Sequence, residues 1–246
     1  SVLTCSAAGA LEGPQPRCVP ISCGPAPSTP QASIVGNAAV VYPGTARYQC
    51  DAGHTLTGQI GGLERFDMSC QADGKYTAAG VCSPVSCGRP PDVQHSSYPR
   101  LNATYGQEVL YTCQKGFSVT ADAGGPAQFN VTCEEQGFEQ PKSCERIRCG
   151  SCPRRSAGFR HAVPQQTGER VFEDKCSYAC QEGYTLDESP GGASGFNTSC
   201  LASGNFSSPR SCLPVSCGPP PVPEHANLTA SASHYPEVAD FECRRG

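Results

Sequence analysis

A short pattern, aromatic-x-Cys-x-x-Gly, occurs four times along the chain: Tyr48 to Gly53, Tyr111 to Gly116, Tyr178 to Gly183 and Phe241 to Gly246. From the first three copies the next marked cysteine lies twenty residues on, from Cys50 to Cys70, Cys113 to Cys133 and Cys180 to Cys200. In between, a Gly-Gly pair (Gly61-Gly62, Gly124-Gly125, Gly191-Gly192) and a phenylalanine (Phe66, Phe129, Phe196) keep identical offsets. Self-similarity at a period of 62 to 68 residues means that each repeat is one structural unit. The chain is therefore an array of small modules, and its function has to be argued at that level.

The cysteines run in a four-beat cycle. Cys5 and Cys18 supply only the third and fourth beats of one cycle. Cys23, Cys50, Cys70 and Cys82 make the first full cycle, and Cys87, Cys113, Cys133 and Cys144 the second. Cys149, Cys180, Cys200 and Cys212 make a third, with Cys152 and Cys176 as extras, and Cys217 and Cys243 begin a last one. The step from a fourth beat to the next first beat is always five, which fixes linkers of four residues. The resulting division is 1–18, 19–82, 83–144, 145–212 and 213–246, a partial module at each end of three whole ones.

Small modules bury too little apolar surface to be stable unaided. This chain adds to that difficulty with 7% aromatic residues, no Trp, one Met, 27 Gly and 23 Pro in 246 residues. Eighteen cysteines then read as disulfide scaffolding in an oxidising compartment, reached through the secretory pathway. A formal net charge of −4 is too small to imply nucleic acid or a membrane surface as partner. No apolar run approaches a membrane-spanning length, so no insertion is expected within these residues. The pattern is cut at both ends, at Ser1 and Gly246. The chain is accordingly expected to be a segment of something longer, with any anchor and the partners of Cys5, Cys18, Cys217 and Cys243 outside it.

Each first-beat cysteine is followed by Gly, and Pro27, Pro91, Pro153 and Pro221 stand four residues after it. Proline has no amide donor, so these entries are extended and irregular. Ala46 to Cys50 and Val109 to Cys113 alternate apolar and polar, as half-buried strands do. The Gly-Gly pair reads as a hairpin turn feeding a second strand through Phe66 to Cys70 and its equivalents. The module is all-β and stapled, and four cysteines leave three connectivities open.

The pattern resembles the complement control protein module, also called sushi or short consensus repeat. The resemblance rests on Cys-Gly-x-x-Pro at entry, Tyr-x-Cys-x-x-Gly-aromatic at the second beat, Gly-x-aromatic before the fourth, and the tight intermodule step. It covers essentially the whole chain and implies pairing of first with third and second with fourth cysteines. The implied bridges are Cys23–Cys70, Cys50–Cys82, Cys87–Cys133, Cys113–Cys144, Cys149–Cys200 and Cys180–Cys212. With those assigned, Cys152–Cys176 is left as an extra bridge. One departure stands out: the family's buried Trp is replaced by Tyr76, Phe138 and Phe206, after Gly74, Gly137 and Gly204. That Trp-free, Ala/Gly/Pro-rich style is more like sushi arrays on protist surfaces than like animal complement regulators. Together these readings predict an all-β tandem array forming an elongated, semi-rigid rod.

The cluster Cys149, Cys152, Cys176 and Cys180 has spacings that could suit a zinc site, but two of its members belong to the repeat cycle, so disulfides are the better account. No metal and no cofactor is expected. His54, His95, His161, His225 and His234 show no repetition at equivalent positions and no nucleophile motif accompanies them. His54 stands where Phe117 and Tyr184 follow the second-beat Gly, which favours a structural role; catalysis is not expected. Of six asparagines, Asn102, Asn130, Asn197, Asn205 and Asn227 lie in Asn-x-Ser/Thr, which marks them as N-glycosylation acceptors.

Residues 142–162 carry six Lys and Arg against one acid. Arg146, Arg148, Arg154, Arg155 and Arg160 form a candidate site for sulfated glycans or acidic partners, since guanidinium suits sulfate geometrically; a solvated face is the simpler account. The apolar linker residues Val19, Ile21, Val85, Ile147 and Val215 are expected to pack between modules. The leading functional expectation is a non-catalytic structural or adhesive role in a filament, coat or stalk, with other extracellular modules or further copies of the chain as partners. Ligand recognition through the Arg-rich third module is the alternative, and an accessory region of a secreted enzyme a third.

Overall fold

The structure, a computed structural model, describes residues 2–15, 17–154 and 157–244. Among them all regular structure is short β-strand apart from one 3-10 turn, Ala157–Phe159. The chain divides into two compact units: Ser1–Asp92 with Pro99–Val109 and Asn130–Pro141, and Val93–Tyr98 with Leu110–Phe129 and Lys142–Gly246.

In the first unit, strands Ala32–Val35, Thr45–Cys50 and Arg65–Ser69 form an antiparallel sheet with Ile34, Tyr48 and Phe66 in register. Alternation turns Ala46, Tyr48 and Cys50 inward, as a strand with one covered face requires. The Tyr48 and Phe66 rings stack at 4.8 Å, and the Tyr48 hydroxyl donates to the Pro27 carbonyl at 2.7 Å. Val40, Met68 and Cys70 complete the core. Burial pushes the Tyr48 phenol pKa up, with Tyr76 adding to the effect. Near the chain's start, Thr4–Cys5 pairs with Leu11–Glu12. Leu11 lies opposite Cys5 as Tyr76 lies opposite Cys70.

The second unit repeats this plan. Tyr178 stacks on Phe196 at 4.9 Å and donates to the Pro153 carbonyl at 3.0 Å, while Tyr111 lies between Tyr98 and Phe129 at 4.4 and 5.1 Å. Ala162–Pro164, Lys175–Cys180 and Gly195–Ser199 form its three-stranded sheet. Cys176 is fully buried and holds the inward position that Ala46 holds in the first unit. Asp240–Cys243 pairs with Ala226–Ala230, setting Ala226 opposite Cys243 just as Ala32 is set opposite Cys50.

The Gly-Gly segments turn as expected, Gly62 donating to Gln59 at 3.0 Å with Gly61 at φ +71°, but within a connection longer than a simple hairpin turn. Strand Arg65–Ser69 pairs with Thr45–Cys50, and the intervening His54–Thr55 leaves that sheet to pair with Ser83–Pro84. Phe117–Ser118 pairs in the same way with Glu145–Arg146, and Tyr184–Thr185 with Leu213–Pro214. The double glycine closes a loop on itself, Leu56 donating to Leu63 at 2.7 Å. A Cβ on its second glycine would meet the Thr57, Thr120 or Asp187 side-chain oxygen at 2.0–2.4 Å, so that side chain would have to move aside.

The first unit contains disulfides Cys23–Cys70, Cys50–Cys82 and Cys87–Cys133. The second contains Cys113–Cys144, Cys149–Cys200, Cys180–Cys212 and Cys152–Cys176. Each long loop so closed stabilises its module by up to about 4 kcal/mol in the chain-entropy account. Cys5, Cys18, Cys217 and Cys243 are exposed and form no bridge among the described residues.

Candidate functional site

Modular chains act through their faces and through the joints that orient them, and the joints are where this sequence repeats most closely. In the first unit the Val85 amide donates to the Gly53 carbonyl at 2.8 Å, and the Tyr105 amide donates to the Val85 carbonyl at 2.8 Å. One linker residue thus ties the module before it to the module after it. The Ser86 amide adds a bond to the Gly58 carbonyl at 2.9 Å. The Tyr105 ring covers Gly53 so closely that a Cβ there would lie 2.2 Å from it.

Two more joints, both in the second unit, copy this arrangement. Ile147 donates to Gly116 at 2.9 Å and accepts from Phe172 at 2.7 Å, and Val215 donates to Gly183 at 2.9 Å and accepts from Tyr235 at 3.0 Å. Arg148 bonds Ala121, and Ser216 bonds Glu188, both at 2.8 Å. Gly116 and Gly183 lie under the Phe172 and Tyr235 rings, with φ of +87° and +77°. The aromatic after each glycine meets the same ring edge to face: His54 on Tyr105 and Phe117 on Phe172 at 6.1 Å, Tyr184 on Tyr235 at 5.8 Å. Such contacts add about 0.5–1.5 kcal/mol beyond area burial.

Val85 and Ile147 are buried and Val215 is half-buried, whereas Ile21 and Val19 are 45% and 78% exposed. Ile21 still accepts from the Tyr42 amide at 2.8 Å, but residues 1–18 contain no aromatic-x-Cys-x-x-Gly copy to cover it. Side chains reinforce each joint differently. The Glu135 carboxylate accepts from the Gly53 amide at 3.0 Å. Arg146 donates to the Phe172 carbonyl and pairs with Asp174 at 3.2 Å. His234 faces Glu188 at 3.9 Å, and Glu237 accepts the Ser233 and His234 amides at 2.8 and 3.1 Å. Those two bonds hold the Glu237 carboxyl below the usual glutamate range.

The ring that covers each glycine, Tyr105, Phe172 or Tyr235, escaped the sequence reading. Its signal is an aromatic eight residues before each second-beat cysteine, Tyr42 included. Histidine placement also needs correcting. His95, His161 and His225 are equivalent: each has φ near +60° and accepts at its carbonyl from the amide of Gln114, Gln181 or Arg244. Gln31 takes that place in the first module. His95 stacks on Phe117 at 4.1 Å and His161 on Tyr184 at 3.9 Å. The repetition was hidden because the spacing to the second-beat cysteine varies between 18 and 19 residues.

Of the Arg-rich segment, Arg146 is engaged at the joint and Arg148 donates to the Thr120 carbonyl at 3.2 Å. Lys142, Arg154 and Arg160 are exposed, and Arg155 lies outside the described residues. Cys149, Cys152, Cys176 and Cys180 have their sulfurs in disulfides. All five sequon asparagines are exposed. Asn130 and Asn197 hold equivalent strand positions and Asn205 sits on the turn before Phe206. No helix among the described residues is long and apolar enough to cross a membrane.

Comparison with known proteins agrees with this architecture. The Sushi repeat (SCR repeat) pattern matches residues 23–82, 87–152 and 149–212. A rat protein called sushi, von Willebrand factor type A, EGF and pentraxin domain-containing protein 1 is 31% identical over 99% of this chain. Pig E-selectin is 26% identical over 76% of the chain, and bovine complement factor H 29% over 80%. The chain spans 6%, 38% and 14% of the lengths of those three proteins. Its disulfide-stapled modules suit the oxidising space outside the cell or at its surface, where it is placed. The chain belongs to the sushi family of tandem extracellular repeats.

Proposed function

We propose that this chain is a non-catalytic stretch of jointed sushi modules in a larger extracellular glycoprotein, serving structural assembly or adhesion by presenting module faces to other protein modules or to further copies of itself. The observation that carries the reading is the repetition of one joint three times, with three backbone hydrogen bonds and a ring seated on glycine each time. A linker bonded on both sides has little freedom to swivel, and a chain that fixes neighbour to neighbour suits a spacer or scaffold. Sedimentation velocity of the glycosylated, oxidised protein over a concentration series tests it. Reversible or filamentous self-association is expected, and a monomer at every concentration counts against the assembly reading.

A second reading has its own support. Arg154 and Arg160 are exposed, and among the described residues neither pairs with a carboxylate. With Lys142 they leave cationic groups on the third module and its linker free for a sulfated glycan. Adding such a glycan in the same experiment separates the two: a salt-sensitive shift seen only with glycan favours ligand recognition.

A further inference from the structure

The third module carries an open groove of about 330 Å³ lined by Pro153, Phe159, Phe206 and Pro209, with Ser151, Ser207 and Asn205 among its polar members. Pro153 and Phe206 have counterparts in the other whole modules, Pro27 and Pro91, Tyr76 and Phe138, but Phe159 stands on Ala157–Phe159, the one 3-10 turn among the described residues. Asn205, inside an Asn-Phe-Ser sequon, lies at the edge of the same groove. The corresponding residue in the first whole module is Lys75.

We propose that this groove seats the first N-acetylglucosamine of a glycan carried by Asn205. A pyranose ring presents a face of C–H groups that packs on aromatic and proline surfaces, while its hydroxyl and acetamide groups need hydrogen-bond partners. Both are present. Phe206 and the two prolines supply the apolar wall. The Ser207 hydroxyl accepts from the Ser199 amide at 3.0 Å, which leaves its own proton to donate.

The attachment point is held still. Leu201 donates to the Asn205 carbonyl at 2.8 Å, Gly204 turns at φ +75°, and Cys200, opposite Phe206, is bridged to Cys149. A sugar tethered to a fixed backbone beside its own groove loses little further entropy on docking. The glycan then covers the apolar wall made by Phe206, Pro153 and Pro209. This inference stands apart from the assembly reading and rests on Asn205 being an occupied acceptor.

The test uses the full chain from a glycosylating host, each glycan trimmed to a single N-acetylglucosamine labelled in its acetyl methyl. Peptide mapping reads occupancy of Asn205 separately, and an unmodified Asn205 overturns the proposal. With occupancy established, one acetyl resonance is expected upfield of the rest through ring current, lost in Asn205→Gln and reduced in Pro209→Ser. Asn205→Gln is also expected to lower the Tm by a few degrees where Asn102→Gln does not. An Asn205 sugar whose resonances match those of the other sites, with Tm unchanged in Asn205→Gln, overturns it; so does a groove that gives the shift only with a partner's aromatic or free sugar added.

Discussion

At the scale of single residues the joint turns on glycine, and two different demands meet at Gly53. Its φ of +73° costs any L-residue strain, and the Tyr105 ring leaves no room for a side chain. Gly88 separates the two, since its φ is +71° and nothing lies within 4 Å of a Cβ there. Gly88→Ala is expected to lose about 1 kcal/mol from left-handed strain alone. Gly53→Ala adds overpacking and is expected to lose about 2–4 kcal/mol. Urea unfolding with disulfides intact measures both, and equal losses would show that the ring contact contributes nothing. Glu237 makes a second prediction. Its folded pKa lies below the usual 4.5 because the Ser233 and His234 amides bond the carboxylate. A depressed pKa means stability that is full above 4.5 and is lost as the pH falls through the folded value. Thermal unfolding between pH 6 and about pH 3 should therefore fall less steeply in Glu237→Gln than in the parent chain, and parallel curves would remove Glu237 from the joint.

At the scale of elements the third module has exchanged core packing for a covalent bond. Cys176 takes the inward place of Ala46, and Cys152 stands three residues after Cys149 as Ala26 does after Cys23. Ala26 packs against the core cluster that contains Ala46, so small apolar residues hold the two positions that the third module bridges. Restoring them as Cys152→Ala with Cys176→Ala is expected to cost about 3 kcal/mol from the 24-residue loop. A loss near zero in denaturant titration would mean that the bridge merely replaces packing. What could be read from the sequence follows the same line. Cysteines at fixed spacing and the strands carrying Tyr48 and Phe66 were visible because cycle and alternation recur without gaps; the stacking of the two rings was not. The glycine-covering rings keep a fixed offset of eight yet belong to no local motif, so only the joint geometry shows their use. The His95, His161 and His225 series was lost to a single deleted residue, which breaks a sequence offset while the backbone bond from Gln114 or Gln181 restores the position in space. The double glycines do sit in tight turns, Gly62 bonding Gln59 and Gly192 bonding Ser189; what their pattern hid is the excursion of His54–Thr55 out of the sheet to Ser83–Pro84.

For the molecule as a whole, small cores strung in series place the weight of stability on cross-links. Each module's interior is two or three packed rings with a handful of aliphatic and half-cystine neighbours, and modules of this size fall short of a self-sufficient core. The joints add bonds between neighbours, but those bonds need the modules already folded, because the glycine and the ring they join come from different repeats. The two or three disulfides of each module, at about 2–4 kcal/mol each, are then comparable with the total stability of an ordinary domain, about 5–15 kcal/mol. Complete reduction is therefore expected to unfold the entire chain in buffer at room temperature, with every joint lost along with the modules. Amide dispersion in a two-dimensional NMR spectrum, recorded before and after reduction and thiol blocking, reads this directly. Persistent native dispersion in the blocked chain would show that the ring pairs and joints suffice, and would move the source of stability from the cross-links to the contacts between repeats.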